Sequence, residues 1–315
     1  MNTMNIGIDM MGGDFAPVEV LKGIQEYYSD AHTGHLFLFG DEDKITALLT
    51  GYALPANNFT IVHAPEVISM HDHPARALKE KSRSSISAGF QSLAGGIIDA
   101  FISAGNTGAM LVGSLYALKP IEGVLRPSIS TIIPKENGAT GLLLDVGLNT
   151  DCKPEMLNQF AVMGSVYAQT IVGIESPRVA LINIGEEEGK GNLLSQAAYQ
   201  ILKNNAHINF VGNIEGRDIF LDKADVMVCD GFTGNIILKL AESLFEITGR
   251  KGIQHEYFDR FNFENYGGTP VLGVSKPVII GHGISKCRAF KNMILLAQKM
   301  IKKDVVHKLH SEIVI

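Results

Sequence analysis

The chain has 315 residues, of which 46% are hydrophobic and 19% charged, and its formal net charge is −6 at pH 7. These values are typical of a globular enzyme with a sizeable core, and the negative charge gives no overall attraction to nucleic acid or anionic lipid. The sequence has no apolar run long enough to span a membrane and no leader typical of a signal peptide, and its three well-separated cysteines indicate a reducing cytoplasm.

Short apolar runs alternate with segments of helical pattern along most of the chain. The predicted strands cover residues 5–9, 36–40, 60–63, 100–103, 130–133, 141–146, 179–184, 208–211 and 226–230, and the predicted helices include 17–28, 84–93, 108–118, 154–172, 193–203 and 236–248. Such alternation is typical of parallel strands joined by crossover helices. The Asn-Gly pair at 137–138 predicts one antiparallel hairpin. We therefore expect a single three-layer α/β/α domain over residues 1–315, doubly wound around a mostly parallel sheet, with a short helical excursion at 240–265.

Five of the apolar runs end in segments rich in Gly, Asn, Asp and Thr. These segments are residues 103–108, 145–151, 183–192, 212–218 and 230–235. In an open α/β sheet, ligands bind along the edge formed by the carboxyl ends of the strands. Glycine lets the backbone come close to a ligand, and the helix that follows offers free N–H groups to an anion. The pattern predicts a site for a small polar anion along that edge.

Residues 185–192, Gly-Glu-Glu-Glu-Gly-Lys-Gly-Asn, give the strongest single indication of an anion site. The segment is not a Walker A loop, because three residues rather than four separate its first two glycines and Gly191 follows Lys190. Lys190, between Gly189 and Gly191, can still reach a phosphate as a point charge. The alternative is a solvated loop whose glutamates at 186–188 pair with Lys190. Those acids would repel phosphate unless they point away from it.

Two strand-to-helix junctions carry the same residue types. The first holds Gly105, Asn106 and Thr107, and the second holds Thr233, Gly234 and Asn235. An asparagine amide at such a junction can donate a hydrogen bond to an oxyanion. The alternative for the first junction is that its polar side chains serve only as a helix N-cap.

Other motifs narrow the enzyme class. Residues 9–14, Asp-Met-Met-Gly-Gly-Asp, follow an opening strand of the kind found in sugar kinases, so a kinase is the alternative enzyme. No dinucleotide-binding glycine motif follows a strand, and His71 and His73 lack a third ligand at metal spacing, which favours a surface turn. His282 is either a proton donor or a structural histidine. Because no nucleophile elbow or activated cysteine is evident, direct attack by a bound substrate is favoured over a covalent intermediate.

Taken together, the motifs resemble those of bacterial phosphate acyltransferases, in the same order along almost the whole chain. They are residues 9–14, 103–108, 143–147, 183–192, 212–218, 230–235 and 266–268. The resemblance implies a fold similar to phosphotransacetylases and isocitrate-dehydrogenase-like enzymes. It also implies a homodimer that transfers a long acyl chain from acyl carrier protein to inorganic phosphate, without cofactor or metal. A membrane glycerol-3-phosphate acyltransferase would use the product. A scaffold that recruits acyl carrier protein is the non-enzymatic alternative.

This reading assigns expected roles to individual residues. Lys190 and nearby glycine N–H groups hold phosphate, Asn106 or Asn235 donates to the oxyanion, and His282 is an optional proton donor. The other expected substrate contacts are Gly12, Gly13, Asp14, Gly105, Thr107, Gly189, Gly191, Asn192, Thr233 and Gly234. Lys79, Lys81, Arg83 and Arg217 are the expected basic contacts for an acidic carrier protein.

Two features depart from the family pattern. Met10 stands where the family usually has Ala, and the stretch between Asn235 and Tyr266 is shorter than in many relatives. The family carries helices for dimer contact and membrane attachment there. We therefore expect a cytoplasmic enzyme whose membrane contact is at most peripheral, with Ile247 and Phe261 among the apolar residues in the dimer interface or against lipid.

Overall fold

The computed structural model describes residues 4–30, 33–52, 54 and 56–313. The chain divides into two compact units, of which unit 1 is Met1–Lys119 with Phe263–Lys302 and unit 2 is Pro120–Asn262 with Lys303–Ile315. Both units are built of helices and mostly parallel strands, which confirms the predicted α/β class. The expectation of one domain over the whole chain stays a prediction.

The first nine strands follow the predicted apolar runs closely, and the last two are not among the predicted strands. They are β1 (Asn5–Asp9), β2 (His35–Gly40), β3 (Phe59–His63), β4 (Ala100–Ser103), β5 (Ser128–Pro134), β6 (Thr140–Leu144), β7 (Arg178–Ile182), β8 (Asn209–Ile214), β9 (Val226–Val228), β10 (Thr269–Leu272) and β11 (Val278–Ile280). Buried parallel strands read as short continuous apolar runs, which is why the sequence locates them well.

The helices comprise the six that the sequence predicts and several more that it does not. They are α1 (Val18–Ser29), α2 (Glu42–Leu49), α3 (Pro74–Glu80), α4 (Ser85–Ala94), α5 (Thr107–Tyr116), α6 (Pro154–Tyr167), α7 (Leu193–Lys203), α8 (Gly231–Arg250), α9 (Glu256–Asp259), α10 (Cys287–Lys302) and α11 (Val305–Ile313). Helix α6 continues as a π-helical turn over Ala168–Val172, so the predicted helix at 154–172 is confirmed.

In unit 1 the strand order is β3-β2-β1-β4-β11-β10, and only β10 runs antiparallel to its neighbour β11. In unit 2 the order is β5-β6-β9-β7-β8, and β5 runs antiparallel to β6. The β5–β6 hairpin turns at the predicted Asn-Gly pair, where Gly138 has a φ of 86°. The antiparallel hairpin predicted at residues 137–138 is therefore confirmed, whereas the second antiparallel pair, β10 with β11, was not predicted.

A close helix pair covers part of the unit 1 sheet. Helix α1 buries Val20, Leu21 and Ile24, and it packs against α10, which also contacts β1 and β4. Gly23 is required at the α1–α10 crossing, because a Cβ there would lie 2.7 Å from the Cβ of Phe290. Glycine thus lets the two helices approach closely enough to bury their apolar faces.

Helix α8 begins at Gly231, five positions earlier than its predicted start at residue 236. The described residues include no helix both long and apolar enough to cross a membrane. Phe261, expected in a dimer interface or against lipid, is only 7% exposed and packs edge-on against Phe220 and Tyr257. It is a core side chain of unit 2, whereas Ile247 on α8 is 45% exposed.

Candidate active site

Three parallel strands bring polar loops to one edge of the unit 1 sheet. Strands β1, β4 and β11 are neighbours and end at Asp9, Ser103 and Ile280. The loops at 10–17, 104–106 and 281–286 therefore start side by side. This is the edge at which α/β folds bind their ligands.

A buried carboxylate organises this edge. Asp9 is fully buried, and its Oδ2 accepts a 2.6 Å hydrogen bond from Ser103 Oγ, which in turn accepts one from Gly105 N at 2.9 Å. The Met11 N–H donates to Asp9 Oδ1 at 2.9 Å. Burial raises the pKa of Asp9, although the hydrogen bonds from Ser103, Ser85 and the backbone oppose the shift. Sequence reasoning assigned Asp9 no role, although it opens the 9–14 motif.

The predicted glycines of this edge are required by close packing. A Cβ on Gly12 would lie 2.3 Å from Asp9 Oδ2 and 2.6 Å from Gly105 N, so no side chain fits there. Gly13 has a φ of 102°, a conformation that favours glycine. The next residue, Asp14, is exposed, and its N–H donates to the Gly283 carbonyl at 2.8 Å. The loops after β1, β4 and β11 thus form one connected framework.

Asn106 caps helix α5 and is 4% exposed. Its Oδ1 accepts from Ala109 N at 2.9 Å, and its Nδ2 donates to the carbonyls of Ser69 at 2.8 Å and Asp72 at 3.1 Å. Both hydrogens of the amide therefore point to backbone carbonyls of the 69–72 loop. The neighbouring Thr107 is exposed in the first turn of α5.

His282 lies in the loop after β11, beside the same edge. Its ring is half-buried and stacks on Phe263 with a centroid separation of 5.1 Å and an interplanar angle of 32°. Its Nδ1 is 3.5 Å from the N–H of Ile284. The geometry therefore brings His282 close to the Gly12–Asp14 loop through their shared neighbour Gly283.

Unit 2 repeats the design around a second buried aspartate. Strands β6, β9 and β7 are parallel neighbours, and Asp145 follows β6 directly. The Asp145 carboxylate is buried and accepts hydrogen bonds from Ile129 N at 3.2 Å and from both Asn149 N and Nδ2, at 2.6 and 2.8 Å. Burial raises the pKa of Asp145, while these hydrogen bonds oppose the shift.

The junction after β9 lies against that aspartate. Asp230 caps α8 by accepting from Thr233 N and Oγ1, each at 2.9 Å. A Cβ on Gly234 would lie 1.8 Å from the Asp145 carbonyl oxygen, so the helix start can approach only with glycine there. Asn235 is exposed, and among the described residues its side-chain amide has no hydrogen-bond partner. That amide is available to a ligand.

The Lys190 loop follows β7, next to β9. The Lys190 side chain is 49% exposed, and its ammonium lies 3.8 Å from Glu187. Gly191 has a φ of 90°, and Asn183 Nδ2 donates to the Lys190 carbonyl at 3.0 Å, which fixes the turn. Asn192 caps α7 by accepting from Ser195 N at 2.8 Å. No atom lies within 4 Å of the position that a Cβ on Gly189 would occupy, and the Gly189 carbonyl accepts a hydrogen bond from Gln196 at 3.1 Å.

The other two glutamates of this loop pair with lysines outside it. Glu186 lies 2.5 Å from the Lys223 ammonium, and Glu188 lies 2.9 Å from that of Lys203. A hydrogen bond from Gln200 and the Lys203 contact lower the pKa of Glu188. Of the three acids, Glu187 is therefore the one that faces Lys190, which limits the repulsion that an anion beside Lys190 would meet.

The four predicted carrier-docking residues differ in their exposure and in their partners. Lys79 and Arg83 are exposed, whereas Lys81 donates to the Val67 carbonyl at 2.9 Å and to Asp72 at 2.5 Å. Arg217, after β8, is 75% exposed and pairs with Glu215 at 2.8 Å. Within the described residues, no three His, Cys, Asp or Glu side chains form a group suited to a metal ion.

The predicted site residues thus lie at three strand ends in unit 1 and at two in unit 2. Gly12, Gly13, Asp14, Gly105, Asn106, Thr107 and His282 belong to unit 1, and Gly189, Lys190, Gly191, Asn192, Thr233, Gly234 and Asn235 belong to unit 2. The sequence pattern did not identify the buried Asp9 and Asp145, which hold the two groups of loops in place. The feature that could have identified them is an aspartate at the end of an apolar run, shortly before a glycine.

Comparison with known proteins agrees with this architecture. A family model described as fatty acid synthesis protein matches residues 4–308. The chain is 43% identical to the phosphate acyltransferase of Dictyoglomus turgidum, over 97% of this chain and 96% of that protein, and 44% identical to the one of Desulforamulus reducens, over 96% and 95%. A phosphotransacetylase structure from Streptococcus pyogenes aligns with a TM-score of 0.66 at 19% identity, over 95% of this chain and 94% of that one. That likeness concerns the fold alone.

Proposed function

Because the chain belongs to the phosphate acyltransferase family and is an acyltransferase of fatty acid and phospholipid synthesis, we propose that it moves a long-chain acyl group from acyl carrier protein to inorganic phosphate. The product is an acyl phosphate. The observation that carries the proposal is the Lys190 loop, where a half-exposed ammonium stands between two glycines at a strand end.

Phosphate binding follows from the charges of that loop. Lys190 supplies a positive charge, the backbone of Gly189 and Gly191 supplies N–H groups, and the start of α7 favours an anion. Glu186 and Glu188 pair with Lys223 and Lys203. In this proposal the bound phosphate displaces Glu187, the remaining neighbour of Lys190.

The oxyanion donor in this proposal is Asn235 rather than Asn106. The amide of Asn235 is exposed at the start of α8, where the helix N-terminus also favours negative charge. The amide of Asn106 already donates to Ser69 and Asp72, so a substrate would have to compete with both carbonyls. We assign Asn106 the role of holding the 69–72 loop.

The chemical step needs no covalent enzyme intermediate. A phosphate oxygen bonds to the thioester carbonyl carbon, and the carbonyl electron pair moves onto its oxygen beside Asn235. Collapse of that adduct breaks the C–S bond and releases the carrier thiolate, which takes a proton from water. A thiolate is a good leaving group, so this step requires no proton donor.

The proposal is tested with purified protein, palmitoyl carrier-protein thioester and inorganic phosphate. We expect release of free thiol that depends on phosphate, together with an acyl phosphate trapped by hydroxylamine as the hydroxamate. A parallel reaction with palmitoyl coenzyme A distinguishes the carrier protein from a soluble thioester. Thiol release without phosphate would indicate a thioesterase, and no release from either donor would contradict the proposed reaction.

We also propose a partner subunit and a cellular location for this enzyme. Phe232, Ile236 and Leu240 lie four residues apart on α8 and are 62%, 53% and 63% exposed, which supports burial in a homodimer. We place the dimer in the cytoplasm, with peripheral membrane contact where a glycerol-3-phosphate acyltransferase receives the product. Light scattering of Leu240→Asp tests the dimer, since a wild-type monomer, or a variant with unchanged mass, would contradict this assignment.

A further inference from the structure

Strand β8 carries a bulge just before its last two residues. Its register against β7 shifts by one residue between Phe210 and Gly212, so Val211 is an extra residue, and Gly212 has a φ of 100°. Because side chains alternate between the two faces of a strand, the extra residue moves Asn213 to the face that Phe210 occupies. Phe210 packs edge-on against Tyr199 of α7, with the ring centroids 5.2 Å apart. The bulge therefore directs Asn213 towards the α7 side of the sheet.

Asn213 is a buried polar side chain with only one of its polar atoms in use. It is 6% exposed, and its Nδ2 donates to the Glu187 carbonyl at 2.9 Å. Its Oδ1 is enclosed by protein and accepts no hydrogen bond from the residues that the structure describes. A buried acceptor without a donor is unfavourable, so stability alone would favour an apolar residue at this position. The advantage of an asparagine here therefore lies in the bond that Nδ2 donates.

That bond reaches the peptide group on which the Lys190 turn depends. The Glu187 carbonyl also accepts from the Lys190 N–H at 3.1 Å, so Asn213 and the backbone of Lys190 share one acceptor. The turn brings the Lys190 side chain back beside the start of the loop, where a Cβ on Gly185 would lie 3.0 Å from Lys190 Cγ. Asn213 thus fixes the carbonyl that sets the direction of Lys190, while the Glu187 carboxylate lies at the surface.

Two further carboxamides hold other carbonyl groups of this loop. Asn183 Nδ2 donates to the Lys190 carbonyl at 3.0 Å, and Gln196 Nε2 donates to the Gly191 carbonyl at 3.0 Å. The C=O of a trans peptide and the N–H of the next residue point in opposite directions. The N–H groups of Gly191 and Asn192 therefore point away from these carboxamides, and they have no acceptor within the part of the chain that the structure describes. They are available to the anion that Lys190 attracts.

We infer that Asn213 is a positioning residue for phosphate binding, which acts by fixing the Lys190 loop through the Glu187 carbonyl. The inference rests on the proposed function, because it states how the phosphate site of that reaction is held in place. Asn213 does not touch the substrate. Its loss leaves the charge of Lys190 present but displaced, and displacement of a binding group by about 1 Å can cost about 10²-fold.

The first test measures how thiol release from palmitoyl carrier-protein thioester depends on phosphate in Asn213→Ala. We expect kcat/KM for phosphate to fall about 10- to 10²-fold, mainly through a higher KM. The melting temperature should equal or exceed that of the wild type, because the variant removes an unpaired buried acceptor. An unchanged KM for phosphate, or a loss confined to kcat, would overturn the inference. Asn213→Val repeats the test if the alanine variant does not fold.

The matched control is Asn209→Ala, which removes the same type of side chain from the opposite end of β8. The exposed Asn209 amide donates to Ser176 Oγ at 3.3 Å and makes no contact with the Lys190 loop. This variant should keep the wild-type KM for phosphate. A rise in KM equal to that of Asn213→Ala would overturn the inference, because the effect would then belong to the strand as a whole.

A double-mutant cycle separates positioning of Lys190 from a general effect on the fold. In the Lys190→Ala background the charge that Asn213 positions is already absent. Adding Asn213→Ala to that background should therefore lower kcat/KM for phosphate by less than about twofold. Losses that multiply, as for two independent residues, would overturn the inference.

Two further measurements do not depend on turnover. The amide hydrogens of residues 186–191 should exchange faster in Asn213→Ala than in the wild type, and calorimetric titration with inorganic phosphate should show weaker binding. Asn209→Ala should match the wild type in both. This result supports the inference even if the wild-type protein releases no thiol, an outcome that contradicts only the proposed reaction. Exchange rates or a phosphate affinity equal to those of the wild type would overturn the inference.

Discussion

Ser103 Oγ donates a 2.6 Å hydrogen bond to Oδ2 of Asp9, between the ends of two neighbouring parallel strands. Both side chains are fully buried, and Gly12 packs directly against the same carboxylate. The bond therefore ties the strand-end loops of unit 1 to each other. A comparable role in unit 2 falls to Asp145, which holds the 145–149 turn through Asn149.

Replacing Ser103 by Ala should destabilise the protein by about 1–3 kcal/mol, because a buried carboxylate loses a donor that nothing replaces. The loss should appear in urea unfolding as a lower midpoint with an unchanged slope. Ser29→Ala is the matched control, since the exposed Ser29 hydroxyl donates only to the Gln25 carbonyl. A midpoint for Ser103→Ala as high as that of the control would contradict this reading.

The buried ammonium of Lys135 leads to a second prediction about stability. Its ammonium is fully buried and lies 2.6 Å from Asp225, which Arg178 also contacts at 2.9 Å. Burial alone would raise the pKa of Asp225, but the hydrogen bonds from Arg178 and Lys135 outweigh it and hold that pKa well below its usual range. Asp225→Asn should lower stability at neutral pH, but by less than the about 3–5 kcal/mol of a fully broken buried pair, because Lys135 keeps Asp222 at 3.0 Å.

The pH dependence of that loss has a defined sign. The folded pKa of Asp225 lies below its unfolded value of about 3.9, so its contribution is complete above the unfolded value and declines as the pH falls towards the folded one. Unfolding measured from about pH 6 down to about pH 3 should therefore show a flatter acid limb in Asp225→Asn. The exposed Asp43→Asn serves as control. Parallel curves for Asp225→Asn and the wild type would be inconsistent with the lowered pKa.

Lys190→Ala should lower activity about 10²- to 10³-fold, which is the usual effect of removing one preorganised charge partner. Its melting temperature should change little, because the side chain is half-exposed and its one ion pair, with Glu187, is long at 3.8 Å. Lys203→Ala, which removes a lysine paired with Glu188 in the same region, is the matched control. Phosphate kinetics of Lys190→Ala that match the wild type would remove Lys190 from the site.

The two asparagines should separate in a comparison of stability with turnover. Asn235→Ala should lower kcat about 10²- to 10³-fold with an unchanged melting temperature, because it removes an exposed donor. Asn106→Ala should lower the free energy of unfolding by about 1–2 kcal/mol, because it removes a helix cap. Thermal unfolding and steady-state kinetics on both variants decide the matter. The reverse pattern would return the oxyanion role to Asn106.

Docking of the acidic carrier should depend on Lys79 and Arg83, whose exposed side chains form no ion pair among the described residues, although the Arg83 backbone N–H donates to Glu66. Reversing both to Glu should raise KM for the carrier thioester, and added salt should weaken the wild type in the same way, since the Debye length is about 8 Å at physiological ionic strength. Lys81→Glu should instead lower stability, because Lys81 anchors the 67–72 loop. A salt-independent KM would reject Lys79 and Arg83 as the docking contacts. An unchanged KM in the Lys79→Glu/Arg83→Glu variant would make Arg217 the next candidate.

The sequence predicted strands β1 to β9 well but missed β10 and placed the start of α8 too late, for identifiable reasons. Strand β10 contains Pro270, a residue that normally argues against a strand and is tolerated here opposite Ile279 of β11. Helix α8 starts inside the Gly-rich segment at Gly231, where glycines disfavour a helix locally but the Asp230 cap and the close approach to Asp145 require one. Tertiary contacts overrode local propensity in both places.

The sequence by itself determined the alternation of strands and helices, the family, and the glycine-rich strand ends, because these depend on local patterns of apolar and turn-forming residues. Only the tertiary structure decided which polar groups already have hydrogen-bond partners within the protein. It buried Asp9 and Asp145 as anchors, directed the amide of Asn106 to the 69–72 loop and left that of Asn235 exposed. Hydrogen-bond partners such as Asp9 and Ser103 lie 94 positions apart, so no local pattern can reveal whether a donor is free.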